Sequence, residues 1–287
     1  MQQNDQGSVY RPLPVSAGLR PFVRRFMVAD CEDELDVRVR PVPTGYCYLG
    51  WIMDGRVSAD IDGVRTEFGD RVAHISGQIH CQDIEVRYQG RLMHVLVEMT
   101  ATGLFALLGQ PAGSYSGKTV DLGEEALNWV LGGAQADRFV RPDLQSTLRR
   151  IEDYLSARTE APFFVPTYIT QATEMIEADP DGMMAGEVAA QLGVSARHLS
   201  RGFKKYIGVP PNYFRRIMQI QRAIALVTTG DESTLTQICL DCGFYDQAHF
   251  IHAFNRFFLT SPKAFFDSPD PTLLSFLSKQ DLGGGRP

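Results

Sequence analysis

Nowhere in the 287 residues do about 18 apolar residues run together, so no membrane-spanning helix is expected. The opening MQQNDQGSVYRPLP has neither a basic start nor an apolar run of the kind that directs secretion, which predicts a soluble chain in the cytoplasm. Cysteine is scarce and odd in number. Cys31, Cys47, Cys81, Cys239 and Cys242 are too few for a disulfide scaffold, so reduced thiols are expected. A phosphate-binding glycine loop, a dinucleotide fingerprint and a nucleophile triad are also missing, so no catalytic residue and no cofactor is assigned. What is present is ordinary globular composition, 44% hydrophobic and 22% charged. The length suits two domains of about 100 to 200 residues each.

The most informative absence is local. From Val188 to Gly230 there is no Asp or Glu, while Arg197, Arg201, Lys204, Lys205, Arg215, Arg216 and Arg222 supply seven positive charges. The other 244 residues hold 21 basic and 34 acidic side chains, so a region of +7 sits beside −13 within a total of −6. Phosphate binding follows the local field, screened over about 8 Å at physiological salt. An acidic total therefore does not exclude a nucleic-acid partner.

The same third of the chain repeats itself. Val188-Ala189 and Leu192-Gly193-Val194 match Ile238-Cys239 and Cys242-Gly243-Phe244 at an offset of 50. Leu199, Phe203, Tyr206, Pro211 and Phe214 match Phe250, Phe254, Phe257, Pro262 and Phe265 at an offset of 51. Each copy reads as a helix, a Gly turn and a second helix. Gly193 and Gly243 suit a left-handed helix end, and Ser195 and Asp246 offer caps for the helices that follow. Thr234 with Gln237 forms a capping-box pattern. Ala189 and Cys239 are small enough to let the paired helices cross closely. Between the copies, Pro211 can open a helix running from Asn212 to Thr228, which at ~1.5 Å per residue spans roughly 25 Å. Such a rod can hold two recognition helices near the ~34 Å spacing of successive major grooves. Two helix-turn-helix units beside a basic run predict binding to double-stranded DNA.

Residues 167–267 resemble the DNA-binding domain of the AraC/XylS family of bacterial transcription regulators. The likeness is carried by EVAAQLGVSARHLSRGFKKYIGVPPNYF in the first unit and LTQICLDCGFYDQAHFIHAFNRFFLTSPKAFF in the second. The resemblance implies that Arg197, Ser200 and Arg201 contact bases in the first unit, and that Gln247, His249 and His252 hold the corresponding places in the second. Lys204, Lys205, Arg215 and Arg216 are read as phosphate contacts or plain helix surface. The second unit departs from the family, with His252 and Asn255 where basic residues are common and Leu259 where Gly is usual. Between Asp231 and Asp267 it carries two basic and five acidic residues, a net of −3. The first unit is accordingly expected to supply most of the affinity. Cys239-x-x-Cys242 has no second ligand pair for zinc and falls on buried positions of the repeat, so it is read as packing.

Residues 9 to about 120 have a different texture. Short apolar runs at 47–53, 57–61, 72–75, 84–88 and 93–99 are broken at Asp54-Gly55, Asp62-Gly63, Gly69-Asp70 and Gln89-Gly90, which argues an antiparallel sandwich or barrel. The family resemblance makes this a cupin-like sensor. His74, His80 and His94 lack the close His-x-His pairing of a metal site, and none is assigned. Tyr46, Tyr48, Trp51, Phe22, Phe26 and Phe68 are either core or the lining of an effector pocket. Two helices follow, at 123–131 and 142–157, and in the second Leu144, Leu148, Ile151 and Leu155 make a narrow heptad seam that suits either a homodimer partner or the barrel.

The predicted architecture is thus α+β and multidomain: a β-rich, cupin-like region with helical dimerisation segment (9–157), a linker (158–166), an all-α domain with two helix-turn-helix motifs (167–267) and a loose tail (268–287). The function implied is a sequence-specific transcription regulator, by the family's commoner mode an activator, with promoter DNA, RNA polymerase, a small-molecule effector and a second copy as partners and no membrane. A metal-dependent cupin enzyme with an attached DNA-binding domain, and control by a protein partner, stay open as alternatives.

Overall fold

The computed structural model describes residues 8–80, 83–132, 141–228, 235–268 and 270–277. Its N-terminal half is one antiparallel sheet of seven strands: β1 (Arg11–Leu13), β2 (Val23–Val39), β3 (Tyr48–Ile61), β4 (Val64–Phe68), β5 (Val72–Ser76), β6 (Ile84–Met99) and β7 (Thr119–Asp121). The spatial order is β1-β2-β6-β3-β5-β7, with β4 paired to β3. Asp62-Gly63 is the predicted turn. Ile61 pairs with Val64 across it, and both central residues have positive φ, as a two-residue hairpin requires.

Two other predicted breaks are not turns. Asp54-Gly55 and Gln89-Gly90 lie inside the long strands β3 and β6, which stay paired to each other on both sides of them. Gly55 explains why. Its φ of +98° lets β3 shift register around Asp54 and continue as a strand. A break in apolar patterning therefore marked an irregular rung of the ladder. β2 was missed as a strand because the stretch from Cys31 to Asp36 in its second half is mostly charged and exposed.

Alternation along β3 and β6 gives the sheet two apolar faces. Leu49, Trp51 and Met53 pack with Val95, Val97 and Met99 beneath α1 (Gly103–Leu108), α2 (Glu124–Leu131) and α3 (Leu144–Thr159). Trp51 Nε1 donates to the Ala126 carbonyl at 3.2 Å. Ile52, Val57, Tyr88, Leu92 and Leu96 face the other way. The heptad seam of α3 is spent within the chain: Ile151 and Leu155 are fully buried against the sheet, with Leu144 buried and Leu148 packed beside them. The seam is not a free dimer face, because the sheet's own apolar surface needs the same cover.

The C-terminal half is helical: α4 (Thr167–Ala178), α5 (Ala185–Gln191), α6 (Ala196–Tyr206), α7 (Pro211–Thr228), α8 (Leu235–Asp241), α9 (Gln247–Phe258), α10 (Pro262–Asp267) and α11 (Pro271–Leu277). The expected loose tail needs correction, since 271–277 is a helix. Leu273 and Leu277 are buried in the helical core, and Phe276 packs against the sheet. Residues 278–287 and Thr234, hence the capping box expected there, lie outside the described residues.

The two halves share a core. The segment from Val42 to Tyr46 pushes into the helical domain, where both residues join the cluster built on Phe203, Phe214 and Phe254. Gly45 sits at its tip with φ +83°, and a Cβ there would collide with the Met218 side chain. Gln221 Nε2 donates to the Thr44 carbonyl, and Tyr213 Oη donates to that of Ile79 at 3.0 Å.

Candidate nucleic-acid interface and sensor cavity

The sequence repeat becomes a repeat of hydrogen bonds. Val194 N donates to the Ala189 carbonyl and Phe244 N to that of Cys239, each at 3.0 Å, and Gly193 and Gly243 have φ of +67° and +70°. Ser195 Oγ accepts from His198 N at 3.1 Å to cap α6, and Asp246 Oδ1 accepts from His249 N at 2.7 Å to cap α9. Capping of this kind is worth about 1 kcal/mol. Leu199 and Phe203 on α6, like Phe250 and Phe254 on α9, are fully buried. Each second helix is thus anchored at the same two positions, and α9 adds Ala253, Phe257 and Phe258 to its buried side.

The outer faces differ. On α6, Arg197, Arg201, Lys204 and Lys205 are exposed and Ser200 is half-exposed. The Arg197 and Arg201 guanidiniums can each present a planar fork of donors to guanine O6 and N7. Lys205 Nζ lies 4.8 Å from the Tyr206 ring centre and 5.4 Å from that of Phe105 in the N-terminal half, so its position is partly set by the domain contact. Lys204 is exposed on the last turn of α6. On α9, His252 is exposed, while Gln247 is half-buried with its carbonyl oxygen accepting from Thr236 Oγ1 at 3.2 Å. That contact leaves the Gln247 amide nitrogen to donate.

His249 is held rather than free. Its ring stands 5.6 Å from that of Phe244, and Nε2 lies 3.4 Å from Arg216 Nη2. Burial and the adjacent Arg216 cation push its pKa down, opposed in part by Asp246. Arg216 stacks over the Phe244 ring at 5.0 Å. Arg215, read from sequence as surface or a phosphate contact, is buried and donates from Nη1 to the Pro180 carbonyl at 3.0 Å. It belongs to the scaffold because α7 turns that face into the bundle. Cys239 and Cys242 are free, fully buried thiols in the same core, and burial raises their pKa to about 11 and about 12. Neither is a ready thiolate ligand or nucleophile.

The second face of the sheet lines a cavity of about 140 Å³. Val57, Ala59, Ile84, Val86 and Leu96 supply an apolar lining, and Tyr46, Tyr48, Phe68 and Tyr88 supply rings. Of the aromatics weighed as pocket residues, Trp51 and Phe26 instead belong to the helix-covered face, and Phe22 packs against it. His74 and His94, twenty residues apart in sequence, meet here with their Nε2 atoms 3.0 Å apart, and His94 Nδ1 is 2.6 Å from Tyr10 Oη. With both rings neutral, one proton between the Nε2 atoms satisfies the pair. Burial enforces this, holding His74 at about 4 and His94 well below its usual range. His80 stands apart, beside Ser116. Among the described residues no three His, Cys, Asp or Glu side chains gather as a metal site would need.

A family model described as a helix-turn-helix domain matches residues 188–268, the span that holds both units. That span is under a third of the chain. Curated transcription regulators are similar over a comparable length. The HTH-type transcriptional regulator ArgR of Pseudomonas aeruginosa is 32% identical over 96 residues, 33% of this chain and 29% of that one. The HTH-type transcriptional activator RhaS of Klebsiella pneumoniae is 39% identical over 77 residues, 27% of each chain. The match thus spans under a third of these relatives. Among solved structures, ToxT from Vibrio cholerae covers 85% of this chain and 98% of its own at 11% identity and a TM-score of 0.46. A regulator with an AraC-type DNA-binding domain from Chromobacterium violaceum covers 36% of this chain and 95% of its own, at 29% identity and a TM-score of 0.32. No described helix is long and apolar enough to cross a membrane.

Sequence reading missed α11 and the histidine pair. The signal for α11 was the spacing of Leu273, Phe276 and Leu277 in a segment discounted for its flanking Pro and Gly. No sequence signal brings His74 and His94 together, because their meeting depends on which strands become neighbours.

Proposed function

We propose that the protein is a sequence-specific, DNA-binding transcription regulator of the cytoplasm, an activator by the family's commoner mode, whose N-terminal sheet domain senses a small molecule. The observation that carries this reading is the duplicated, capped helix-turn-helix with its acid-free, basic outer face on α6. Arg197, Ser200 and Arg201 read bases from the first unit, with Lys204 and Lys205 on phosphates. Gln247 and His252 contribute from the second, and His249 acts mainly by bracing Arg216 and Phe244. The apolar cavity supports the sensor role, since it is lined by rings and supplied with few polar groups. RNA polymerase is the protein partner the family implies. A second copy would dock on a surface other than the α3 seam.

Effector binding shifts the population of domain arrangements able to span two half-sites. Genome-wide mapping of bound sites, followed by gel shifts of the full chain on the recovered fragments, tests the reading. Retardation that weakens steeply with salt is expected; no retardation of any fragment by folded protein at low salt would overturn it.

A further inference from the structure

The cavity is not closed by the sheet domain alone. Leu273 and Phe276 of α11, which follows the DNA-binding domain in sequence, form part of its wall. The Phe276 ring lies 5.2 Å from that of Tyr10 and 6.0 Å from that of Tyr48, edge-on to both. Its carbonyl accepts from Arg25 Nη2 at 2.6 Å, and Val9 N donates to Thr272 Oγ1 at 3.1 Å. Arg25 is itself fixed by Glu98 at 2.7 Å, so the sheet offers α11 a prepared seat. At the same time Leu273 and Leu277 belong to the core of the helical domain. One short helix therefore has a side chain in each compartment.

The walls differ in what it takes to move them. Strands β3 and β6 are paired along most of their length, whereas α11 is seven residues held by a few side-chain bonds and rings. With α11 seated, about 140 Å³ has room for little more than one benzene-sized ring, comparable to an engineered apolar cavity of ~150 Å³ that takes benzene. A larger occupant needs more room, and α11 is a less restrained wall than β3 and β6. The lining also sets the ligand's charge. Among the described lining residues only Lys118 is ionic, and it is exposed. A charged group carried inside would be desolvated without a partner.

We propose that the cavity binds an uncharged aromatic ligand of about two fused rings, which takes the place of the Phe276 side chain and lifts α11 from the sheet. The effect reaches the DNA-binding domain because α11 carries part of that domain's core with it. This inference rests on the N-terminal region being a sensor, and it adds the ligand's class and the element that answers to it.

1-Naphthol serves as the probe, with full-length protein throughout. Calorimetry should detect its binding to the wild type, and hydrogen exchange over 271–277 should quicken on addition. Phe276→Ala should bind it at least about tenfold tighter, since the space is then vacant without displacement. 1-Naphthoate, which carries the same rings and a carboxylate, should bind at least about tenfold more weakly than 1-naphthol. Failure of the wild type to bind 1-naphthol, unchanged or slower exchange over 271–277, or an equal affinity in Phe276→Ala would overturn the proposal. The wild-type exchange measurement stands whether or not the variant folds. A protein that still retards DNA but ignores 1-naphthol defeats this inference alone, whereas loss of DNA binding defeats the broader reading.

Discussion

The two helix-turn-helix units are built on one backbone plan and differ in everything laid over it. Their turn glycines, turn hydrogen bonds, caps and paired anchoring residues coincide, yet α6 presents four exposed Lys or Arg side chains and α9 one, Arg256 in its last turn. Geometry and affinity are thus separable in this fold. The scaffold is fixed by a handful of buried and turn positions, while the outer residues are free to differ in charge.

The equivalence of the turns breaks most sharply at the glycines. A Cβ on Gly193 meets nothing within 4 Å, whereas one on Gly243 falls 2.8 Å from Asp181 Cβ and 2.9 Å from Gln219 Nε2. Gly193→Ala should cost only the left-handed strain of about 1–2 kcal/mol. Gly243→Ala adds overpacking of about 1–3 kcal/mol. Thermal denaturation of both variants checks the difference, and equal losses would mean that the second turn is looser than described.

Arg201→Ala should weaken binding to a mapped site by about 1–3 kcal/mol, or roughly tenfold to a hundredfold. Gln247→Ala should cost less, because its carbonyl is already engaged by Thr236. Gel shifts showing the reverse order would make α9 the main reader. For phosphate contacts, Lys204→Ala should lower the salt slope of log K by about 0.9; Lys205→Ala should change it less, since that ammonium is already drawn over the Phe105 and Tyr206 rings.

The smallest effect is expected at Leu259. This residue caps α9 with φ +53°, in the left-handed region, and is 51% exposed. Leu259→Gly removes strain but restores freedom to the unfolded chain, so a net gain of at most about 1 kcal/mol is expected in denaturant unfolding. A loss would show that the leucine side chain contributes contacts that outweigh its backbone conformation.

The repeat was legible because helix packing, turns and caps are local and each leaves its mark within a few residues. Leu199, Phe203, Phe250 and Phe254 could be placed as anchors from spacing alone, and all four are fully buried. The sheet was legible only in part. Polar, bulged stretches such as Asp54-Gly55 look like turns in sequence, while their pairing is decided by a neighbouring strand some 35 residues away. The buried state of Arg215 was hidden for a related reason: both it and Arg216 follow Phe214, and only the packing of α7 against Pro180 tells which is turned inward. The α3 seam was read correctly as apolar, but periodicity does not say whose surface covers it.

The bulge of chain from Val42 to Tyr46 carries one more implication. Because it is a plug from one half filling a socket in the other, the two halves are not interchangeable beads: a severed C-terminal piece would bare a greasy hollow beside Phe214 and Met218 and tend to stick to itself. Grafting these reading helices onto a foreign sensor would succeed only if the five-residue plug travelled with them.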